Sequence, residues 1–315
     1  MMLAQLGAIA LVVAPVFGLI GLGFIASVSG HLRERAAEGL SEYVFGLAVP
    51  VLIFKTLAEA QLPAEGQPWG YWIAYFTGAF TVFALGMLAA RRLFGRGHLE
   101  SVIQGFTSGQ ANTVFVGVPL ILQAFGPEGA VPLFLLIAIH LPIMMVLATV
   151  LAEGAAAGLS LKTMRQLGRM LALNPILLGI YAGGIAKLTG YMPGGVLKQT
   201  LDLLAASAVP CALVSLGLAL HRYPVRGDVG PAVLITVLKL GVHPAIVYAL
   251  TRVLPMPPVW ADVAVVFAAM PCGINAYLLA QRYGTGVAAS ASAVSLSTAV
   301  SLFTVTLWFL ILGVS

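Results

Sequence analysis

Apolar residues run in long blocks along this chain. Short polar, charged or turn-rich segments such as Gly30–Glu38, Gln61–Trp69, Arg91–His98 and Arg222–Gly230 separate them. The blocks read as ten membrane spans, at 5–27, 41–60, 70–90, 101–125, 129–152, 171–190, 198–221, 229–252, 260–282 and 288–312. Each is near the roughly 20 apolar residues a helix needs to cross hydrocarbon. Trp69, Trp72, Trp260 and Trp308 fall near block ends, where interfacial aromatics gather. The first block follows MMLAQLG, with no basic stretch ahead of it, and reads as a retained helix and not as a cleaved signal.

Composition narrows the class. The 315 residues are 60% hydrophobic and 9% charged, with a mean hydropathy of +1.01. A soluble domain carries about 25% charged residues. A soluble enzyme, a nucleic-acid binder and a disordered chain are therefore disfavoured. The expected fold is an all-α membrane protein with no sizeable soluble domain. Cys211 and Cys272 each follow a proline inside an apolar block and read as small packing residues. No metal site is expected.

The net charge of +5 has a topological use. With the N-terminus outside, the inner loops hold Arg33, Arg35, Arg91, Arg92, Arg96, Lys162, Arg165, Arg169, Arg222, Arg226 and Arg282. The outer segments hold only Lys187, Lys198 and Arg252. Because Lys and Arg collect on the cytoplasmic side, both termini are expected outside. Compact loops suggest a bacterial inner membrane.

The spans also repeat. LAVPVLIFKTLA around Pro50 has a counterpart in SAVPCALVSLGLA around Pro210, and Pro15 in span 1 has one in Pro175 of span 6, both at an offset of 160. Asn112 in span 4 and Asn275 in span 9 are offset by 163. The chain thus divides into a five-helix repeat at 1–155, a cytoplasmic linker at 156–170 and a second five-helix repeat at 171–315. Because five is odd, the second copy enters with opposite polarity, an inverted repeat found in secondary transporters.

Spans 4 and 9 carry the chemistry. Span 4 contains QANTVFVGVPL, with Gln110, Ala111, Asn112, Thr113, Gly117 and Pro119; span 9 contains MPCGINAYLLAQRYG, with Pro271, Gly273 and Asn275. Gly117, Pro119 and Pro271 are read as the residues that break the two helices. Backbone groups freed by a break must line a protein-enclosed or wet cavity. A half-helix starting there presents unpaired N–H groups and partial positive charge, which suits an anion. Asn112 and Asn275 can cap the half-helices or hold substrate, or Asn can simply join two helices. Lys239, with His243 four residues on, lies near mid-depth of span 8 and reads as a counter-charge for a carboxylate, a group that titrates in proton coupling, or a structurally paired lysine. Lys55 is a second candidate contact near the outer end of span 2. His140 reads as a packing residue, and Asp202 as a proton or sodium contact of lower rank. The serines and threonines of span 10 read as close-packing residues, with contact to substrate or a coupling ion as the alternative. The Gly179/Gly183 pair in span 6 serves close packing or a dimer contact.

QANTVFVGVPL, MPCGINAYLLAQRYG and the AVP of span 2 resemble the auxin efflux carrier family, which includes plant PIN-type exporters and bacterial carriers of malonate, malate and similar acids. The likeness extends over essentially the whole chain. It implies a scaffold of helices 1, 2, 6 and 7 and a moving transport domain of helices 3–5 and 8–10, in which broken helices 4 and 9 cross. Asn112 and Pro119 match the first crossing motif, and Pro271 and Asn275 the second. Ala111 stands where plant members carry proline-containing crossings, and the central loop is short, as in prokaryotic members. Bile-acid sodium symporters are similar in architecture more distantly.

The function expected is a secondary carrier or facilitator of small carboxylates, working by elevator-type alternating access. Substrate sits at the crossing among Gln110, Ala111, Asn112, Thr113, Gly273, Asn275, Lys55 and Lys239. No cofactor is expected, with proton or sodium coupling left open. The partners expected are the substrate and the bilayer, with no nucleic acid and with a homodimer through the scaffold helices as an option. The alternatives are a sodium-coupled, bile-acid-like symporter and a channel or receptor. HExxH, GxSxG and GxxxxGK[ST] are absent, so neither an enzyme nor an ATP-driven pump is expected.

Overall fold

In hydrocarbon every backbone N–H and C=O must find a partner within the protein, and helices achieve this segment by segment. The computed structural model follows that rule. It describes residues 2–60, 69–153, 172–223 and 227–314, together with 165, 166, 168, 169 and 225. Most of the expected linker at 156–170, with Lys162, and Arg226 lie outside the described residues.

The elements are α1 (Met2–Val28), α2 (Glu34–Glu59), α3 (Trp69–Arg92), α4 (His98–Gly109), α5 (Val118–Phe125), α6 (Ala130–Glu153), α7 (Pro175–Thr189), α8 (Gly195–Leu220), α9 (Val229–Thr251), α10 (Pro258–Ala268), α11 (Ile274–Tyr283) and α12 (Val287–Leu312). Among the described residues seven helical stretches are long and apolar enough to cross a membrane. One of these, Thr113–Glu153, folds back at Gly126, whose φ of +55° suits glycine. Helix α7 has 15 residues, shorter than the expected span at 171–190.

Proline shapes several helices. Pro15, Pro142 and Pro210 lie inside α1, α6 and α8. Three wider π-helical turns, Val44–Ala48, Thr113–Gly117 and Leu238–Val242, each end two residues before a proline: Pro50, Pro119 and Pro244. Proline offers no N–H and its ring presses on the carbonyl four residues back. Widening the preceding turn relieves that pressure without ending the helix. Gly117 and Pro119, expected to break span 4, therefore sit inside continuous helix; the break lies upstream, at Gln110–Asn112.

Small residues let backbones touch. A Cβ on Gly217 would lie 2.0 Å from the Ile20 carbonyl oxygen, and one on Gly23 would lie 2.3 Å from that of Val214, which fixes α1 against α8. Gly179 and Gly183 meet the backbone of Pro50 and Phe54, so this glycine pair is used to pack α7 on α2. The half-helices α4 and α10 lie deepest. Ser101–Gly109 and Val263–Ala268 are buried throughout, whereas α1 carries apolar residues such as Leu11, 75% exposed.

Two of the tryptophans near helix ends pack inside the protein. Trp260 and Trp308 are buried, and Trp308 Nε1 donates to the Leu240 carbonyl inside the third π-helical turn. Trp69, at the start of α3, is exposed.

Candidate functional site

Helix α4 stops at Gly109 and α10 at Ala268, and both chains run on in extended form across each other. Ala111 and Cys272 form an antiparallel bridge. Asn112 N–H donates to the Pro271 carbonyl at 2.8 Å, and Gly273 N–H donates to that of Gln110 at 3.0 Å. Gly273 is required by close approach, since a Cβ there would stand 2.8 Å from the Ala111 carbonyl oxygen.

The amides that point away from this short ladder are met by side chains. Ala111 N–H donates to His140 Nε2 (3.3 Å), and Cys272 N–H donates to Ser297 Oγ (2.9 Å). His140 is fully buried on α6, and its Nδ1 contacts the Tyr75 hydroxyl at 2.9 Å. His140 and the serines of α12, read from sequence as packing residues, thus also complete the backbone accounting of the crossing.

Beyond the crossing the chain turns helical again, from Thr113 through the π-helical turn into α5 and from Ile274 into α11. Asn112 and Gly273 are the N-terminal caps. First-turn N–H groups have no acceptor within their helix. A cavity of about 320 Å³ lies against both starts, lined by Ala111, Asn112, Thr113, Gly273 and Asn275 among others. Asn112 is 4% exposed and its Nδ2 has no hydrogen-bond partner. A buried unpaired amide costs about 1–3 kcal/mol, which an acceptor in the cavity would offset. Phe45, Phe115, Ile137 and Leu141 supply apolar wall, and Phe45 and Phe115 meet edge-on at 4.7 Å.

A third helix start borders the same cavity. Asn174 caps α7, its Oδ1 accepting from Ile176 N–H (2.9 Å) and Leu177 N–H (3.4 Å), and Asn174 through Leu177 line the wall. Sequence reasoning missed Asn174. The signal was present as Asn-Pro at the head of a span, a cap followed by proline in the first turn.

The remaining expected contacts stand elsewhere. Gln110 is buried beside the ladder with Oε1 unpartnered, but it does not line the cavity. Lys55 pairs with Asp202 at 2.6 Å, and Lys198 joins Asp202 at 3.0 Å, tying the far end of α2 to α8. Lys239 is fully buried behind the crossing, where Nζ donates to the Ala268 carbonyl (2.5 Å) and contacts His243 Nδ1 (3.2 Å). Neither lysine lines the cavity. Among the described residues no group of three or more His, Cys, Asp and Glu side chains is placed to hold a metal ion.

Known proteins add a frame. A family described as "Membrane transport protein" matches residues 8–309. A protein of Rhizobium meliloti (strain 1021) named "Putative malonate transporter" is 31% identical over 302 residues, covering 93% of this chain and 92% of that one. An uncharacterized transporter of Methanothermobacter thermautotrophicus is 30% identical over 306 residues, covering 95% and 97%. An uncharacterized transporter of Methanocaldococcus jannaschii is 27% identical over 308 residues, covering 94% and 96%.

Proposed function

This chain belongs to the membrane transport protein family, that of the PIN-like auxin efflux carriers, and from that membership and the crossing we propose that it carries small organic anions across the membrane. The observation that carries the reading is the unpartnered amide of Asn112, buried where two half-helix starts face one cavity. A carboxylate fits both halves of that arrangement. It accepts from the Asn112 amide, and it is favoured by the partial positive charge of the two helix starts. Thr113, Gly273 and Asn275 complete the polar wall, and the apolar residues around it exclude water. Malonate, named for the Rhizobium relative, is the first substrate to test.

The carrier reading includes ten spans in two inverted five-helix repeats. Its support is the matched construction of the crossing: an amide of each extended strand is held by a side chain from the second helix after the break, His140 on α6 and Ser297 on α12. It also includes a scaffold of α1, α2, α7 and α8, supported by the glycine contacts of α1 with α8 and of α7 with α2. The helices around the crossing move against that scaffold as an elevator and expose the cavity alternately. Both termini lie outside, in a bacterial inner membrane, as the Lys and Arg distribution favours. A homodimer through the scaffold would bury part of its exposed apolar surface.

The test is uptake and counterflow in proteoliposomes across a panel of mono- and dicarboxylates, with imposed pH and sodium gradients. The expected result is saturable malonate uptake with counterflow. Asn112→Ala and Asn275→Ala should each lower it about tenfold or more, the equivalent of one hydrogen bond to a charged group at about 1.5–3 kcal/mol. Unsaturable conductance, or full transport by both folded variants, would refute the proposal.

A further inference from the structure

Four titratable side chains lie fully buried behind the crossing: Tyr75 on α3, His140 on α6, and Lys239 and His243 on α9. None lines the cavity. Lys239 is the one whose ordinary form at neutral pH is a cation, and among the described residues it makes no ion pair. Its Nζ instead meets the Ala268 carbonyl, where α10 delivers its C-terminal dipole to the crossing.

Among the described residues the surroundings hold no fixed negative charge. From α3 come Tyr75 and Tyr71, from α6 comes His140, and from the crossing strand comes the thiol of Cys272. The buried stretches of α4 and α10 that pack nearby, Ser101–Gly109 and Val263–Ala268, bear no titratable group. An ammonium in such a place is costly without a counter-charge. An anion in the cavity, which Ala111 and Gly273 of the crossing line, would supply one.

We propose that Lys239 is the proton-coupling residue of this carrier, taking one proton onto Nζ when a carboxylate binds at the crossing and releasing it when the carboxylate leaves. The hydrogen bonds permit both states. A neutral Lys239 amine has two N–H bonds, one for the Ala268 carbonyl and one for His243 Nδ1. The incoming proton takes the nitrogen lone pair and becomes a third N–H beyond the two already engaged, so the protonated state is the costlier one until an anion binds. His243, accepting at Nδ1, carries its own hydrogen on Nε2, and that atom is buried without a partner. Anion and proton then strengthen each other's binding by an equal factor, as linkage requires. The transported unit is the carboxylate plus one proton, which lowers the net charge moved through the membrane.

The proposal rests on the reading of an anion at the crossing, and the test separates the two. Purified full-length protein is titrated with malonate by calorimetry at pH 7.5 in two buffers of different ionisation enthalpy. The difference gives protons exchanged per malonate bound. Wild type is expected to take up a measurable fraction of one proton, up to one, and to bind malonate more weakly as pH rises. Lys239→Met is expected to bind malonate with no proton uptake and with an affinity flat from pH 7 to pH 9. Malonate binding by wild type with zero proton exchange overturns the coupling and leaves the anion site standing. Proton uptake retained in Lys239→Met assigns it to another group and also overturns it. If Lys239→Met does not fold, Lys239→Gln takes its place in the same titration, with the same outcomes. No binding of malonate, succinate or acetate by folded wild type removes the anion site and the coupling with it.

Discussion

Gly273→Ala isolates the contact on which the site depends. Gly273 has φ −78° and ψ 147°, a conformation open to alanine, so backbone strain contributes nothing. The penalty is steric. The added Cβ would stand 2.8 Å from the Ala111 carbonyl oxygen, 3.1 Å from its carbon and 3.2 Å from Gln110 Cγ. Ordinary contact begins near 3.4 Å, so the strands must part by about 0.6 Å. That stretches the two ladder hydrogen bonds, now 2.8 and 3.0 Å, to the edge of usefulness. Overpacking costs about 1–3 kcal/mol and each weakened bond up to about 1 kcal/mol, so about 1–5 kcal/mol in all. Gly117→Ala is the matched control, because its Cβ would find Met270 Cγ at a comfortable 3.6 Å. The assay is thermal unfolding of detergent-purified protein beside malonate uptake in proteoliposomes. Gly273→Ala should melt several degrees lower and lose most uptake, while Gly117→Ala should match wild type in both. Equal behaviour of the two variants would refute the claim that backbone contact at the crossing holds the site.

Other outcomes follow from the same geometry. His140→Phe removes the acceptor for Ala111 N–H and should destabilise the protein by about 1–3 kcal/mol, read from the melting curve; Tyr75→Phe should cost less, since His140 Nε2 still holds the amide. Lys55→Met should leave malonate uptake within about twofold of wild type, because its partly exposed pair with Asp202 lies off the cavity wall and such pairs contribute little. Gly217→Val should prevent α1 from seating on α8, since even a Cβ there falls 2.0 Å from the Ile20 carbonyl; the measurement is the yield of monodisperse protein on size exclusion. Asn174→Ala should lower uptake while Asn174→Asp, which keeps the cap, should retain the melting midpoint and weaken anion uptake by adding negative charge at the cavity.

The apolar blocks, their helical state and the two interruptions were legible in the sequence for a simple reason: hydrocarbon imposes length and apolarity on each helix separately, and both are properties of a continuous stretch of chain. Asn112, Pro271 and Gly273 could be singled out because a polar or helix-weakening residue at mid-span has few uses. Pro119 misled, because proline accommodated by a π-helical turn looks in sequence the same as proline that ends a helix. Lys55 and Lys239 show another limit. Their depth could be counted, but the partners that occupy them, Asp202 at 147 positions further along and the Ala268 carbonyl at the end of α10, are chosen by packing between helices distant in the chain. His140 and Asn174 acquired their places in the same manner, one by reaching a strand 29 positions earlier, the other by bringing its helix start to a shared cavity. The sequence by itself determined that this protein lives in a membrane as helices, two of them interrupted. Which groups meet at the interruption, and which are left unpaired to receive a guest, was decided only when the two extended strands came within hydrogen-bonding reach, because hydrogen bonds depend on distances of a few tenths of an ångström that no local pattern encodes.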